Sequence, residues 1–95
     1  MPSPLLKKYK KNIEKSARTH GVRSIRVFGS FARGDENAES DLDLLIELEP
    51  NRSLLDIISL KYELEDLIGR TVDVVTAAGI SPYLADQITK EAIPL

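Results

Sequence analysis

Apolar residues recur at two different periods along this chain, and each change of period marks a new element. Leu6, Tyr9, Ile13 and Ala17 follow one another at three- and four-residue steps, the spacing of a helix with one buried face. Ser3-Pro4 supplies an N-cap and a first-turn proline, and His20-Gly21 closes the segment, with His20 placed against the negative end of the helix. Ser24 to Phe28 is a short apolar run that stops at Gly29-Ser30, which reads as a strand entering a turn. Phe31-Ala32-Arg33 begins a short helix. The polar stretch from Asp35 to Ser40 is a surface loop with its acids, Asp35, Glu36 and Glu39, in solvent, and Ser40 either caps it or orients Asp41. Alternation then returns from Asp41 to Leu48, a second strand that Pro50-Asn51 ends. Ser53 to Asp56 forms a capping box with Asp in place of the usual Glu, and a long helix runs from it to Ile68. Leu54, Ile57, Ile58, Leu64 and Ile68 make its core stripe, and Gly69 ends it. Thr71 to Thr76 is a β-branched strand, and Ser81-Pro82 opens a last helix bearing Leu84, Ile88 and Ala92.

This order, helix-strand-(helix)-strand-helix-strand-helix, predicts an α/β (α+β) fold with a mixed sheet of about three strands and helices packed against one side. The stretch between the first two strands is too short for a regular crossover helix, so those two strands should run antiparallel. At 95 residues and 42% hydrophobic content the chain can bury one modest core, and residues 1–95 read as a single domain. The absence of cysteine removes disulfides, thiolate metal sites and thiol nucleophiles, and suits a reducing cytoplasm. No segment resembles a signal peptide or a membrane span, so a cytoplasmic location is expected.

A net charge of −2 conceals a division. Residues 1–26 carry eight Lys and Arg against the single acid Glu14, about +7, which leaves about −9 on the rest. Two readings fit the basic segment: a solvated helix face, or a positive wall attracting phosphates, RNA or an acidic partner. Few aromatic residues stand among the basic ones, which argues against single-stranded RNA because stacking platforms are missing.

The acids suggest more specific chemistry. Period 2 puts Asp41 and Asp43 on the same strand face while Leu42 and Leu44 point the other way. Acids on the wet face of a strand are common, and the pair alone says little. A third acid, Asp73, stands among Val72, Val74 and Val75, where an aspartate costs β-propensity and burial energy unless a cation or hydrogen bonds compensate. Clustered carboxylates are resolved by a divalent ion, and hard oxygen donors favour Mg²⁺ or Mn²⁺ over zinc. Gly29, lacking a Cβ, lets backbone N–H groups approach phosphate oxygens, and the Ser30 hydroxyl can join them.

Gly29-Ser30, ten intervening residues, then Asp41-Leu42-Asp43 resembles the signature of the minimal nucleotidyltransferases of the DNA polymerase β-like superfamily, with Asp73 matching their third acid. The resemblance spans roughly Val22 to the end of the chain. It implies a small polymerase β-like fold, and ATP as substrate with two Mg²⁺ or Mn²⁺ ions on Asp41, Asp43 and Asp73. The triphosphate would sit at Gly29, Ser30 and Arg33. For Arg33 a surface salt bridge to Asp35 or Glu36 is the competing reading. The best-known small members of the family are antitoxins of HEPN-domain ribonuclease toxins, some of which transfer AMP onto the toxin. By resemblance, then, this chain is expected to be a metal-dependent protein adenylyltransferase that modifies a hydroxyl, that of a tyrosine, on a HEPN partner within a hetero-oligomer. A binding-only antitoxin, and a nucleotidyltransferase with a small-molecule or RNA-end acceptor, stay open beside it.

Overall fold

The computed structural model describes residues 3–95. Helix α1 spans Pro4–Thr19, with the Ser3 hydroxyl accepting the Leu5 N–H at 3.1 Å as the expected N-cap. Strand β1 is Val22–Phe28, α2 the single turn Ser30–Arg33, β2 Leu42–Leu48, and α3 Leu54–Ile68. Strand β3 is Val72–Thr76; a 3-10 turn at Ala77–Gly79 leads into α4, Pro82–Glu91, and β4, Ile93–Pro94. Among the described residues no helix is long and apolar enough to cross a membrane.

The sheet order is β3-β2-β1-β4. β1 runs antiparallel to β2, as the short connection requires, and antiparallel to β4, while β2 and β3 are parallel across the α3 crossover. The sheet is therefore mixed but has four strands rather than about three. β4 is two residues long, too short for alternation to reveal, and it exists because Ile93 and Pro94 pair with Val27 and Arg26.

Period 2 sorts the strands onto two faces. Val27, Leu42, Leu44, Ile46 and Val72 point to a core shared with Leu6, Ile13 and Ala17 of α1 and Leu60, Leu64 and Ile68 of α3, with Phe31 of α2 closing one end. Burial of each such side chain contributes roughly 1.5–3 kcal/mol, which makes this layer the main source of stability. α3 is rotated relative to the expected stripe. Leu54 is 67% exposed and Ile58 also faces out, whereas Leu60, absent from that stripe, is fully buried. The capping box itself is present, Ser53 and Asp56 exchanging bonds at the first turn, and Gly69 ends the helix at φ 80°. His20 also departs from expectation: its Nε2 lies 2.6 Å from Glu63 Oε2, so the ring ties α1 to α3 instead of serving its own helix end. The other sheet face is not covered by α1 or α3. α4, which contributes no buried residue and ends one residue before Ala92, borders it at one end.

Candidate active site

Register brings the open-face residues together. Phe28 pairs with Asp43 across the antiparallel ladder, and Asp43 pairs with Asp73 across the parallel one. Paired residues on neighbouring strands are about 4.8 Å apart, and two residues along a strand rise about 6.6 Å, so Asp41, Asp43 and Asp73 share one corner of the sheet. Asp41 directly precedes the first hydrogen-bonded residue of β2, whose Leu42 N–H donates to Thr71 O at 3.0 Å. Arg70 secures the loop leading into it, donating to Ser40 O at 2.8 Å and Asn37 O at 3.2 Å while stacking over the Phe31 ring. The Ser40 hydroxyl accepts the Asn37 N–H at 2.8 Å, the expected loop cap. Asp35 and Glu39 are exposed as anticipated; Glu36 is half-buried and its Oε2 has no hydrogen-bond partner among the described residues, for which the packing offers no explanation.

The burial cost falls on a different acid from the one the apolar flanks suggest. Asp73 is exposed, and Asp43, in the middle of the sheet, is half-buried. Burial, then the negative charges of Asp73 and Asp41, push the Asp43 carboxyl up to about 6. Among the described residues no Lys or Arg forms an ion pair with any of the three aspartates, and no three His, Cys, Asp or Glu side chains already converge on a point where a metal would sit. The donors nonetheless suit a hard cation. They are all carboxylate oxygens, and Lys61, near enough to feel the charge of Asp73, directs its hydrogen bonds to Glu65 and the Val72 carbonyl instead.

Gly29 occupies the turn between β1 and α2 at φ 73°, a left-handed conformation that favours glycine. A Cβ there would run into the Asp43 carboxylate, so the turn and the acid are packed as one unit. Ser30 follows at the first position of α2 and lines the same cleft with Arg33, Asp41 and Asp43. Arg33 is engaged by two acids: Nε donates to Asp35 at 3.2 Å and Nη1 to Glu91 at 2.9 Å. The bond to Asp35, and then the Asp35 and Glu91 charges, raise its already high pKa. Of the two salt-bridge partners expected, Asp35 is the one engaged, and Glu91, absent from that expectation, adds a second. One signal could have found it. Glu91 is the last residue of α4, where a negative charge opposes the helix dipole and asks for a specific partner.

A wider groove at the other end of the sheet, between Leu48, Leu54 and Ala78, has no comparable acid cluster, and its Arg23 and Glu47 pair with each other at 3.4 Å.

The nucleotidyltransferase domain family matches residues 6–95. A Methanocaldococcus jannaschii protein provisionally named protein adenylyltransferase MJ0435 is 47% identical over 74 residues, 78% of this chain and 80% of that one. Protein adenylyltransferase MntA of Thermococcus cleftensis is 40% identical over 77% of this chain and 74% of its own length. Among solved structures, one described as a minimal nucleotidyltransferase superposes with a TM-score of 0.88 at 43% identity, covering 100% of this chain and 97% of that one. A chain from the complex of a tri-AMPylated Shewanella oneidensis HEPN toxin with an MNT antitoxin matches at a TM-score of 0.72, covering 93% of this chain and 69% of that one. At 19% identity that likeness is one of fold.

Proposed function

Because this chain belongs to the nucleotidyltransferase domain family, we propose that it is a cytoplasmic protein adenylyltransferase, moving AMP from ATP to a tyrosine hydroxyl of a HEPN-domain toxin and thereby neutralising it. The observation that carries this reading is the register that sets Asp41, Asp43 and Asp73 beside Gly29-Ser30. The names of the relatives and the fold shared with a toxin-bound antitoxin support the choice of acceptor.

In this proposal Asp41, Asp43 and Asp73 hold Mg²⁺ or Mn²⁺, two ions in all. The cations, when bound, offset the charge that develops on the triphosphate. The Gly29 N–H and the Ser30 hydroxyl hold phosphate oxygens, and Arg33 faces them as a counter-charge once freed from its acids. Asp73, exposed on the edge strand β3, faces the incoming acceptor and orients or deprotonates its hydroxyl. The acceptor oxygen attacks the α-phosphorus, the bond from the α-phosphorus to the bridging oxygen breaks, and pyrophosphate leaves with AMP retained on the tyrosine.

Co-expression with a HEPN-domain toxin from the same genome, followed by copurification and intact-mass measurement of the toxin, tests the reading. Whole AMP increments with the wild-type chain and none with Asp43→Asn are expected. Copurification without added mass, and equal neutralisation by both chains, would establish the binding-only antitoxin in its place. No association at all would leave a small-molecule or RNA-end acceptor.

A further inference from the structure

The carboxylate of Glu91 reaches across the cleft from the end of α4 and accepts two donors with one oxygen: the backbone N–H of Gly29 and Nη1 of Arg33. Those are the donors that a phosphate oxygen would take in the reading above, and a carboxylate reproduces its charge and its acceptor geometry. The contact is not incidental surface pairing. The Glu91 side chain is only 20% exposed, against 52% for Arg33, and 62 residues of chain separate it from Gly29. It is also placed against its own helix dipole, a cost that the two hydrogen bonds offset. α4 buries no residue of its own, so its last turn is held at the sheet by this carboxylate and by the short β4 pairing that follows.

We propose that Glu91 is an internal surrogate for a phosphate group, which closes the triphosphate position until nucleotide displaces it. The displaced carboxylate releases Arg33 toward the phosphates and frees the last turn of α4, which begins at Ile88 and, with Leu84 one turn earlier, walls the cleft. Glu91 thereby sets the threshold concentration at which the enzyme loads. The inference rests on the nucleotide-binding reading of this site and adds to it a residue that competes with the substrate.

Calorimetry of a non-hydrolysable ATP analogue with Mn²⁺, on the full chain as wild type, Glu91→Gln and Glu91→Ala, tests it. Removing a charged competitor that holds two donors should tighten binding about ten- to hundredfold in Glu91→Ala, with a smaller gain in Glu91→Gln, which keeps an acceptor but loses the charge. Inorganic triphosphate should gain as much as the nucleotide analogue, since the competition is at the phosphates. Unchanged or weaker binding by both variants, with wild type binding normally, would show that Glu91 orients Arg33 and Gly29 for the ligand, and would overturn the proposal alone. A gain confined to the nucleoside analogue would overturn it too. If no chain, wild type included, binds either ligand, the nucleotide reading falls and this proposal with it. Glu91→Gln, nearly identical in shape, guards against a variant that merely fails to fold.

Discussion

Asp43 pays for its position in stability. Its folded-state carboxyl titrates near 6, above the ordinary range, so the folded protein holds that proton more tightly than the unfolded chain does. The group is therefore neutral and harmless well below pH 4, and the fold loses stability as pH rises through about 6. Asp43→Asn removes the charge with little change of volume. In metal-free buffer its melting temperature should exceed that of wild type by several degrees above pH 7, with the gap shrinking to nothing near pH 4; thermal melts across that range check it. A constant gap would mean that the charge is not the cause. Asp41 and Asp43 were legible as a pair because strand alternation puts them on one face, and Asp73 stood out as a single acid among valines. Which of them is half-buried was not legible, since that depends on Asp43 lying in β2 between two neighbouring strands while Asp73 lies on the edge strand β3. Glu91 was legible only in part: an acid at the end of α4 asks for a partner, but that the partner is Gly29, 62 residues distant, is set by the fold.

At the scale of elements, caps and breaks were read closely. Ser3, Ser53 with Asp56, Gly69 and Ser81 act within a few residues of themselves, so local sequence suffices to place them. The rotation of α3 was misread because it carries apolar residues on more than one side, and periodicity alone cannot choose between overlapping stripes. Packing against the sheet selects Leu60, Leu64 and Ile68 and leaves Leu54, Leu55, Ile58 and Tyr62 outward. Leu60→Ala should accordingly cost about 2–5 kcal/mol, while Ile58→Gln should stay within about 0.5–1 kcal/mol of wild type. Urea unfolding of both variants distinguishes this arrangement from the stripe expected first. β4 escaped notice because a two-residue strand has no period at all.

Across the whole molecule, the sheet separates two fields. The basic residues of α1, Lys7, Lys8, Lys10, Lys11, Lys15 and Arg18 among them, belong to the layer packed on the core face, and the aspartates open on the other. With a packed layer between them and a screening length of about 8 Å in physiological salt, α1 contributes little to the potential at the cleft. Lys10→Glu together with Lys11→Glu should change nucleotide affinity by no more than about threefold, equivalent to roughly 0.6 kcal/mol, by calorimetry at 0.15 M salt. A larger loss would restore the reading of α1 as a wall that gathers phosphates. The parallel pairing of Asp43 with Asp73 has a consequence for heredity as well. Because side chains alternate strictly, an allele that lost a single codon between Gly69 and Val72 and took up the loss by sliding β3 one place would turn Asp73 toward the helices and present valines to the cleft. Such an allele would still encode every aspartate of the site and have lost the site itself, whereas a substitution scan of the same gene would find nothing missing.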